Sequence, residues 1–252
     1  GSTGARESGY SIGMAGFPTL SNPVKTYISV FNWPDAITHG PEMTALKDGV
    51  IGKDKLDVPI KFIWNYAGNC LINQHAEVNH TRKILEDDSL CEMIVVIDVH
   101  MTPSAKFADI LLPDTTIYEK TDIALNGDTG SMGYAIFCEQ AIEPLYETMH
   151  VYDMCAEIAK RMGVEEQFTE GRSVEDWLRY CVAETRKNNP DWPDYDDFKA
   201  MGIYKVTNPG EPFIAYKAFR DDPEANPLIT PSGKIEIFSA RLHEIGETWE
   251  LE

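Results

Sequence analysis

Three short apolar runs with helix-like stretches between them constrain the fold of this chain more than any other feature. The runs are Ile60–Tyr66, Met93–Val99 and Asp109–Leu112, and prolines or polar turn residues border them. Uninterrupted apolar runs of this length are typical of strands that are buried on both faces. Strands that alternate with helices favour a parallel sheet with helices packed against it. The sequence therefore predicts an α/β fold with a mostly parallel sheet flanked by helices.

The segments on both sides of these runs are rich in residues that break regular structure. Residues 1–58 carry many glycines and prolines, so we expect an irregular lead-in segment with a short helix near Asp35–Lys47. Residues 59–252 form the predicted domain, in which seven prolines mark a loop-rich insertion at about 188–232. The other predicted elements are helices at Asn73–Leu85, Val151–Met162, Ser173–Lys187 and Ala240–Ile245, and a strand at Gly233–Phe238.

The charge balance narrows the range of partners. The 41 acidic residues outnumber the 22 Lys and Arg, which gives a formal net charge of −19. A field of that sign repels phosphate backbones and anionic lipid, so we expect no nucleic-acid partner. The apolar runs are too short to cross a bilayer, and we expect neither membrane insertion nor a targeting signal in this chain. Because the chain begins at Gly1, we expect it to be one portion of a larger protein.

Residues that bind metals or act as nucleophiles are present without the spacing that such chemistry needs. The five cysteines form no C-x-x-C pair, so neither a zinc site nor an iron–sulfur cluster is predicted. His75 and His80 lie five residues apart and not in an H-E-x-x-H pattern, and the serines lack the G-x-S-x-G pattern. The sequence therefore predicts no metal ligand and no catalytic residue in this chain.

The turn Ala67-Gly68-Asn69 follows the first predicted strand. In open α/β sheets, ligands bind beyond the carboxyl ends of the strands, where a glycine lets the backbone approach a pyrophosphate closely. We expect Gly68 to adopt a positive φ and Asn69 to offer amide donors and acceptors. The alternative interpretation is an ordinary strand-to-helix turn.

Asp98 ends the second run, where a carboxylate commonly binds a ribose hydroxyl or a guanine edge. The alternative is a capping or surface carboxylate. Asp98 follows Gly68 by about 30 residues, farther than the roughly 20 residues of a nicotinamide-binding fingerprint. The absence of G-x-G-x-x-G and this long spacing argue against an independent nicotinamide enzyme.

Polar residues also flank the third run. Thr102 and Ser104 are predicted to cap a helical turn and to donate hydrogen bonds to a phosphate or sugar. Lys120 supplies a cation suited to an anionic ligand. The alternative for Glu119 and Lys120 is a pair of solvated loop charges.

Taken in order, these motifs resemble the molybdopterin oxidoreductases of the dimethyl sulfoxide reductase class. The shared pattern is the first strand with Ala67-Gly68-Asn69, then Val95–Asp98, Thr102-x-Ser104-Ala105, Ala108–Pro113, Tyr118-Glu119 and Pro231–Ile237. The resemblance covers essentially the whole chain. It implies a Rossmann-like domain with irregular N-terminal and C-terminal excursions, which holds one of two molybdopterin guanine dinucleotides.

The resemblance also implies a set of cofactor-binding residues. Lys120 replaces what is often Arg in the family, Cys70 replaces a common Pro, and Asp153 lies near the position where some relatives carry Asp. The implied cofactor-binding residues are Ala67, Gly68, Asn69, Leu71, Asn73, Asp98, Thr102, Pro113, Lys120 and Asp153.

For the parent protein, the resemblance implies the catalytic subunit of a molybdenum-dependent dimethyl sulfoxide reductase that reduces S- and N-oxides in anaerobic respiration. Its cofactor would be molybdenum-bis(molybdopterin guanine dinucleotide); a 4Fe-4S cluster is compatible with the parent but not with this chain. The implied partners are an iron–sulfur electron-transfer subunit and a membrane anchor subunit, on a periplasm-facing bacterial membrane. The isolated chain is expected to be inactive. The alternatives are a reductase of selenate or another oxoanion, and a non-catalytic Rossmann-like interaction domain.

Overall fold

The computed structural model describes residues 13–19, 21–125, 133–206, 214–244 and 246. The chain divides into two compact units that interleave along the sequence. Residues 18–120 and 140–173 form one unit, here called the parallel unit, and residues 1–17, 121–139 and 174–252 form the other, the antiparallel unit. The boundary at 58/59 that the sequence suggests stays a prediction.

The parallel unit contains a three-stranded sheet in the order β1-β2-β3. The strands are β1 (Phe62–Tyr66), β2 (Met93–Asp98) and β3 (Ile110–Pro113), and both neighbouring pairs are parallel. Each of the three apolar runs therefore forms a strand, as the sequence predicts, and all three strands end at the same edge of the sheet.

Three short helices, α1 (Trp33–Thr38), α3 (Cys70–Asn73) and α4 (Val78–Leu85), pack against one face of this sheet. The parallel unit also contains α2 (Ala45–Asp48), α5 (Val151–Arg161) and α6 (Glu165–Thr169), and 3-10 turns at Gly40–Glu42 and Ala105–Phe107. Trp33, Leu71 and Ile84 pack with Ile94 and Val96 of β2 in the principal core of this unit. The predicted helix Asn73–Leu85 is divided, because the turn at residues 74–77 separates α3 from α4.

The antiparallel unit has a sheet that the sequence did not reveal. It consists of β4 (Asp122–Leu125), β5 (Tyr134–Cys138) and β6 (Ile203–Lys205), and both pairs are antiparallel. The helices are α7 (Val174–Asn188), α8 (Tyr195–Met201), α9 (Lys217–Asp221) and α10 (Ala240–Glu244). The described fold is therefore mixed α/β. The predicted parallel sheet is confirmed for β1, β2 and β3, whereas the antiparallel sheet of β4, β5 and β6 was not predicted.

Two local predictions also need correction. The loop-rich stretch 188–232 contains α8, β6 and α9, because apolar residues such as Phe198 are buried between its prolines. Gly233–Phe238 forms bends and irregular backbone and no strand. Gly233 has φ +69°, outside the strand region, and its amide donates to the carbonyl of Thr230 in a turn. Among the described residues, no helix is long and apolar enough to cross a membrane.

Candidate functional site

The carboxyl ends of the three parallel strands form one edge of the sheet, where the turn Ala67-Gly68-Asn69, Asp98 and Pro113 lie. Tyr66 is paired with Ile97, and the next residue, Ala67, donates its N–H to the carbonyl of Ile97 at 2.9 Å. Asp98 is paired with Pro113 of β3. The prediction that the turn after β1 and Asp98 share one sheet edge is confirmed.

The turn after β1 is held by a buried amide side chain. Asn65 is buried at an inward position of β1; its Nδ2 donates to the carbonyl of Gly68 at 2.7 Å, and its Oδ1 accepts the thiol of Cys70 at 2.8 Å. Burial raises the pKa of the Cys70 thiol, which keeps the sulfur protonated as a donor. The residue with positive φ is Ala67, at 49°, and not Gly68 as the sequence suggested. The side chain of Asn65 thus fixes a strained turn.

A second set of hydrogen bonds joins the turn after β1 to the loop after β2. Ser104 is completely buried and donates both its N–H and its hydroxyl to Oδ1 of Asn69, at 3.0 and 2.8 Å. The Ser104 hydroxyl oxygen also accepts the N–H of Ile72 at 3.2 Å. The prediction that Ser104 donates to a phosphate is therefore wrong, because its hydroxyl is already used. Thr102 caps the helical turn as predicted, since its Oγ1 accepts the N–H of Ala105 at 3.1 Å.

These bonds leave several donors unpaired at the edge. Within the described parts of the chain, the backbone N–H groups of Gly68 and Asn69 find no acceptor. Since Oδ1 of Asn69 is occupied, its amide nitrogen is the part of the side chain left to bind a ligand. Ala67 is exposed and Gly68 is half-buried, so solvent or a ligand reaches this turn. Free backbone N–H groups in such a turn are suited to phosphate oxygens.

Asp98 provides the negative charge at this edge. Its Oδ1 accepts the N–H of His100 at 3.2 Å, and no described residue donates to its Oδ2. The side chain is half-buried. One oxygen is therefore oriented by the backbone while the other stays available for a donor such as a guanine N–H or a ribose hydroxyl.

Asp114, which the sequence reasoning missed, brings helix α5 to the end of β3. This buried carboxylate accepts the N–H of Thr115 at 2.8 Å and of Val151 at 3.1 Å. The N–H of Met149 also donates to the carbonyl of Pro113 at 3.1 Å. Asp153, in the first turn of α5, is exposed close to this junction in sequence.

The remaining predicted residues differ in their surroundings. Leu71 is buried in the core, so its side chain has no access to a ligand, whereas Asn73 is exposed at the end of α3. Lys120 is half-buried and forms no ion pair with any described residue. Glu119 is not a solvated loop charge: it is buried and accepts the N–H groups of Thr116 and Leu145, at 2.8 and 2.7 Å. These hydrogen bonds lower the pKa of its carboxyl.

The sequence carried one signal for the supporting residues. Asn65 is a polar residue in the middle of an apolar strand, which indicates a buried side chain with a specific hydrogen-bonding role. Ser104 and Asp114 gave no such signal, because their partners come from distant parts of the chain. No group of three or more potential metal ligands occurs among the described residues.

The fold is shared with a solved structure of the same general architecture. Acetylene hydratase from Pelobacter acetylenicus superimposes with a TM-score of 0.52 at 22% identity, over 85% of this chain and 25% of that one. The family model for molybdopterin oxidoreductases matches residues 22–161. The chain therefore belongs to the molybdopterin oxidoreductase family.

Comparison with individual proteins shows which members of this family the chain is similar to. Dimethyl sulfoxide reductase DmsA of Escherichia coli K12 is 59% identical over 251 residues, which is 100% of this chain and 31% of that protein. DmsA of Haemophilus influenzae is 55% identical with the same coverage, and a trimethylamine-N-oxide reductase of that organism is 36% identical over 71% of this chain. The chain is thus similar to dimethyl sulfoxide reductase DmsA and spans about a third of the length of these DmsA relatives.

Proposed function

We propose that the parallel unit is a Rossmann-like domain that anchors the guanosine diphosphate part of one molybdopterin guanine dinucleotide. The observation that carries this proposal is the sheet edge, where unpaired N–H groups of Gly68 and Asn69 lie in the turn after β1 and Asp98 ends the adjacent strand. Membership of the molybdopterin oxidoreductase family supports the choice of this ligand over other nucleotides.

The residues at this edge match the chemical groups of the ligand. The N–H groups of Gly68 and Asn69 would bind diphosphate oxygens, and Lys120 would add a positive charge without the bidentate geometry of an arginine. The free oxygen of Asp98 would accept N–H groups of guanine or a ribose hydroxyl. Thr102 and Pro113 would shape the loops around the nucleotide. Leu71 would contribute through its backbone only, because its side chain is buried.

Asn73, at the exposed end of α3, and Asp153, at the start of α5, are proposed as outer contacts of the same ligand. Ala67 would contribute by its conformation, since its positive φ sets the direction of the following N–H groups. The bound cofactor supplies the molybdenum and the redox chemistry, while this chain binds and orients one end of the dinucleotide.

For the larger protein, we propose molybdenum-dependent reduction of dimethyl sulfoxide and related S- or N-oxides. The names of the relatives, which include dimethyl sulfoxide and trimethylamine-N-oxide reductases, support this substrate class. On the same resemblance, we propose that its partners are an iron–sulfur electron-transfer subunit and a membrane anchor subunit on the periplasmic side. The isolated chain, which provides no catalytic residue in this proposal, should show no reductase activity.

Calorimetry with GDP tests the proposed nucleotide site directly. We expect weak binding to the 252-residue chain, reduced at least about tenfold by Asp98→Asn, since a hydrogen bond to a half-buried, charged carboxylate is lost. Asp88→Asn is the matched control, because this exposed carboxylate precedes β2 at the opposite edge of the sheet. ADP should bind less tightly than GDP if Asp98 recognises guanine. Equal GDP binding by all three proteins would refute the assignment of Asp98.

The full-length protein provides a second test. Asp98→Ala should lower the molybdenum and guanine content of the purified enzyme, whereas Asp88→Ala should leave both unchanged. Unchanged cofactor content in the Asp98 variant would contradict the proposal. Reductase activity of the isolated 252-residue chain would show that catalytic groups lie within it.

A further inference from the structure

A groove of about 310 Å³ lies between helices α7 and α8 of the antiparallel unit. Its lining combines apolar and charged side chains, namely Arg179, Val182, Ala183, Arg186, Asp194, Tyr195 and Asp196. Val182 and Tyr195 also belong to the core that joins the two helices. The volume is at the lower end of the roughly 300–1,000 Å³ of small-molecule sites, so the groove has room for a small ligand.

The hydroxyl of Tyr195, at the start of α8, is an unused hydrogen-bonding group in this groove. Tyr195 is 6% exposed; its ring packs edge to face on Phe137, and the guanidinium of Arg179 lies 4.1 Å from the ring centroid. None of the residues that the structure describes forms a hydrogen bond with this hydroxyl. Burial raises the pKa of the phenol, so the hydroxyl keeps its proton and is a donor at neutral pH. Because the large majority of buried polar side-chain atoms have a partner, the unused hydroxyl indicates a ligand that accepts its hydrogen bond.

The two arginines of the groove differ in their partners. Arg179 contacts the carboxylates of Glu175 and Asp196, at 2.9 Å each, so its charge is already balanced. Arg186 is exposed and forms no ion pair with any residue in the described part of the chain. The carboxylate of Asp194 is used as the cap of α8. Arg186 is therefore the cation that is left for a ligand, and its planar guanidinium matches the two oxygens of a carboxylate.

We propose that this groove is a binding site for a small apolar carboxylate. Arg186 would pair with the carboxylate, the hydroxyl of Tyr195 would donate to a ligand oxygen, and Ala183 would contact the apolar body of the ligand. A phosphate monoester fits less well, because its second negative charge would meet the carboxylates of Asp194 and Asp196. The formal charge of −19 does not prevent binding, since salt screens charges farther away than about 8 Å at physiological ionic strength.

This site is separate from the proposed nucleotide site. Its residues all belong to the antiparallel unit, and none of them is among the residues proposed to bind the dinucleotide. The inference therefore does not depend on the proposed function, and the two can fail independently.

Saturation-transfer NMR with phenylacetate as the probe tests the site in the full-length protein. We expect a dissociation constant on the order of 1 mM, since one ion pair and a small apolar contact form on an open surface. The neutral analogue 2-phenylethanol should bind at least about tenfold more weakly, because it cannot pair with Arg186. Equal binding of the two compounds, or no signal with about 10 mM phenylacetate, would overturn the proposal.

Three substitutions in the full-length protein locate the binding. Arg186→Gln should weaken phenylacetate binding at least about tenfold, and Tyr195→Phe, which keeps the packed ring, should weaken it about threefold or more. Arg220→Gln is the matched control, because Arg220 is an exposed arginine of α9 in the same unit without an ion pair to a described residue. Thermal melts check that the variants are folded. Unchanged affinity in Arg186→Gln or in Tyr195→Phe, or an equal loss in Arg220→Gln, would refute the assignment of this groove.

Discussion

The two units of this molecule place buried polar side chains differently, and the difference agrees with our proposal that the parallel unit binds the nucleotide. In the parallel unit, the buried polar side chains Asn65, Ser104 and Asp114 fix loops at the carboxyl edge of the sheet. In the antiparallel unit, the core is aromatic, and Phe137 and Phe198 meet edge to face with ring centroids 5.6 Å apart. Buried polar networks specify geometry, whereas aromatic packing mainly supplies stability.

The largest effect is expected from the aromatic core. Phe198→Ala should destabilise the antiparallel unit by about 3–5 kcal/mol, because Phe198 is completely buried and the truncation leaves a cavity. Phe238→Ala, at an exposed position of the same unit, is the control and should change stability little. Denaturant unfolding measures both. The folded Phe198 variant should bind GDP with the affinity of the unaltered chain. A loss of affinity would contradict the proposal that the parallel unit alone binds the nucleotide.

An intermediate effect is expected from two buried hydroxyl groups, one in each unit. Ser104→Ala removes hydrogen bonds to Asn69 and Ile72, and Thr185→Val removes bonds to Cys181 and Ala15. Each change should cost about 1–3 kcal/mol, because buried polar partners lose a hydrogen bond.

Nucleotide binding distinguishes these two variants. Of the two variants, only Ser104→Ala should weaken GDP binding in calorimetry, because Ser104, unlike Thr185, donates a hydrogen bond to Asn69 in the turn after β1. Rescue of the affinity by Ser104→Thr, which keeps the hydroxyl, would sharpen the assignment of Ser104 as a positioning residue. If Ser104→Ala and Thr185→Val lower the GDP affinity equally, both substitutions act by destabilising the folded chain, and Ser104 has no specific positioning role.

A pH-dependent effect is expected from Glu119. Hydrogen bonds from the N–H groups of Thr116 and Leu145 lower the pKa of its carboxyl in the folded state. The stabilisation is therefore present above the unfolded pKa of roughly 4.3 and is lost as pH falls through the lower folded pKa. Glu119→Gln should be less stable than the unaltered chain at pH 7, and the difference should shrink toward pH 3. A constant difference over this range of thermal melts would contradict the ionised role of Glu119.

The smallest effect is expected from the surface ion pairs of the antiparallel unit. Arg179 contacts Glu175 and Asp196, at 2.9 Å each, and lies over the ring of Tyr195. Because these groups are exposed, water and salt screen their attraction. Arg179→Gln should lower the Tm slightly at low salt, and 1 M NaCl should remove most of the difference. A large, salt-independent loss would show that the stacking on Tyr195 dominates.

Sequence reasoning succeeded where the local pattern of apolar residues agrees with the burial that the folded sheet requires. The continuous apolar runs correctly predicted β1, β2 and β3, and their parallel arrangement correctly placed Asp98 near the turn after β1. It missed β5, although Tyr134–Cys138 is a continuous apolar run. It also missed β4 and β6, which are four and three residues long and carry apolar runs of only three and two residues. Such short strands become recognisable only through the partner with which they pair.

The site shows the same limit in finer detail. The sequence identified the turn containing Gly68 but assigned the positive φ to the glycine. In the structure Ala67 has the positive φ, and Asn65 donates a hydrogen bond to the carbonyl of Gly68. Leu71 was predicted as a contact because of its position in a motif, and only packing against the core shows that its side chain is inaccessible.

The sequence by itself determined that the sheet carrying the proposed site is parallel, because the order of apolar and polar residues decides which segments form buried strands. The tertiary structure decided which donors and acceptors remain free there. Asn69 and Ser104 are 35 residues apart in the chain, and their hydrogen bond exists only once β1 and β2 are paired. A hydrogen bond satisfies a group through distance and angle, and those depend on the folded arrangement of distant segments.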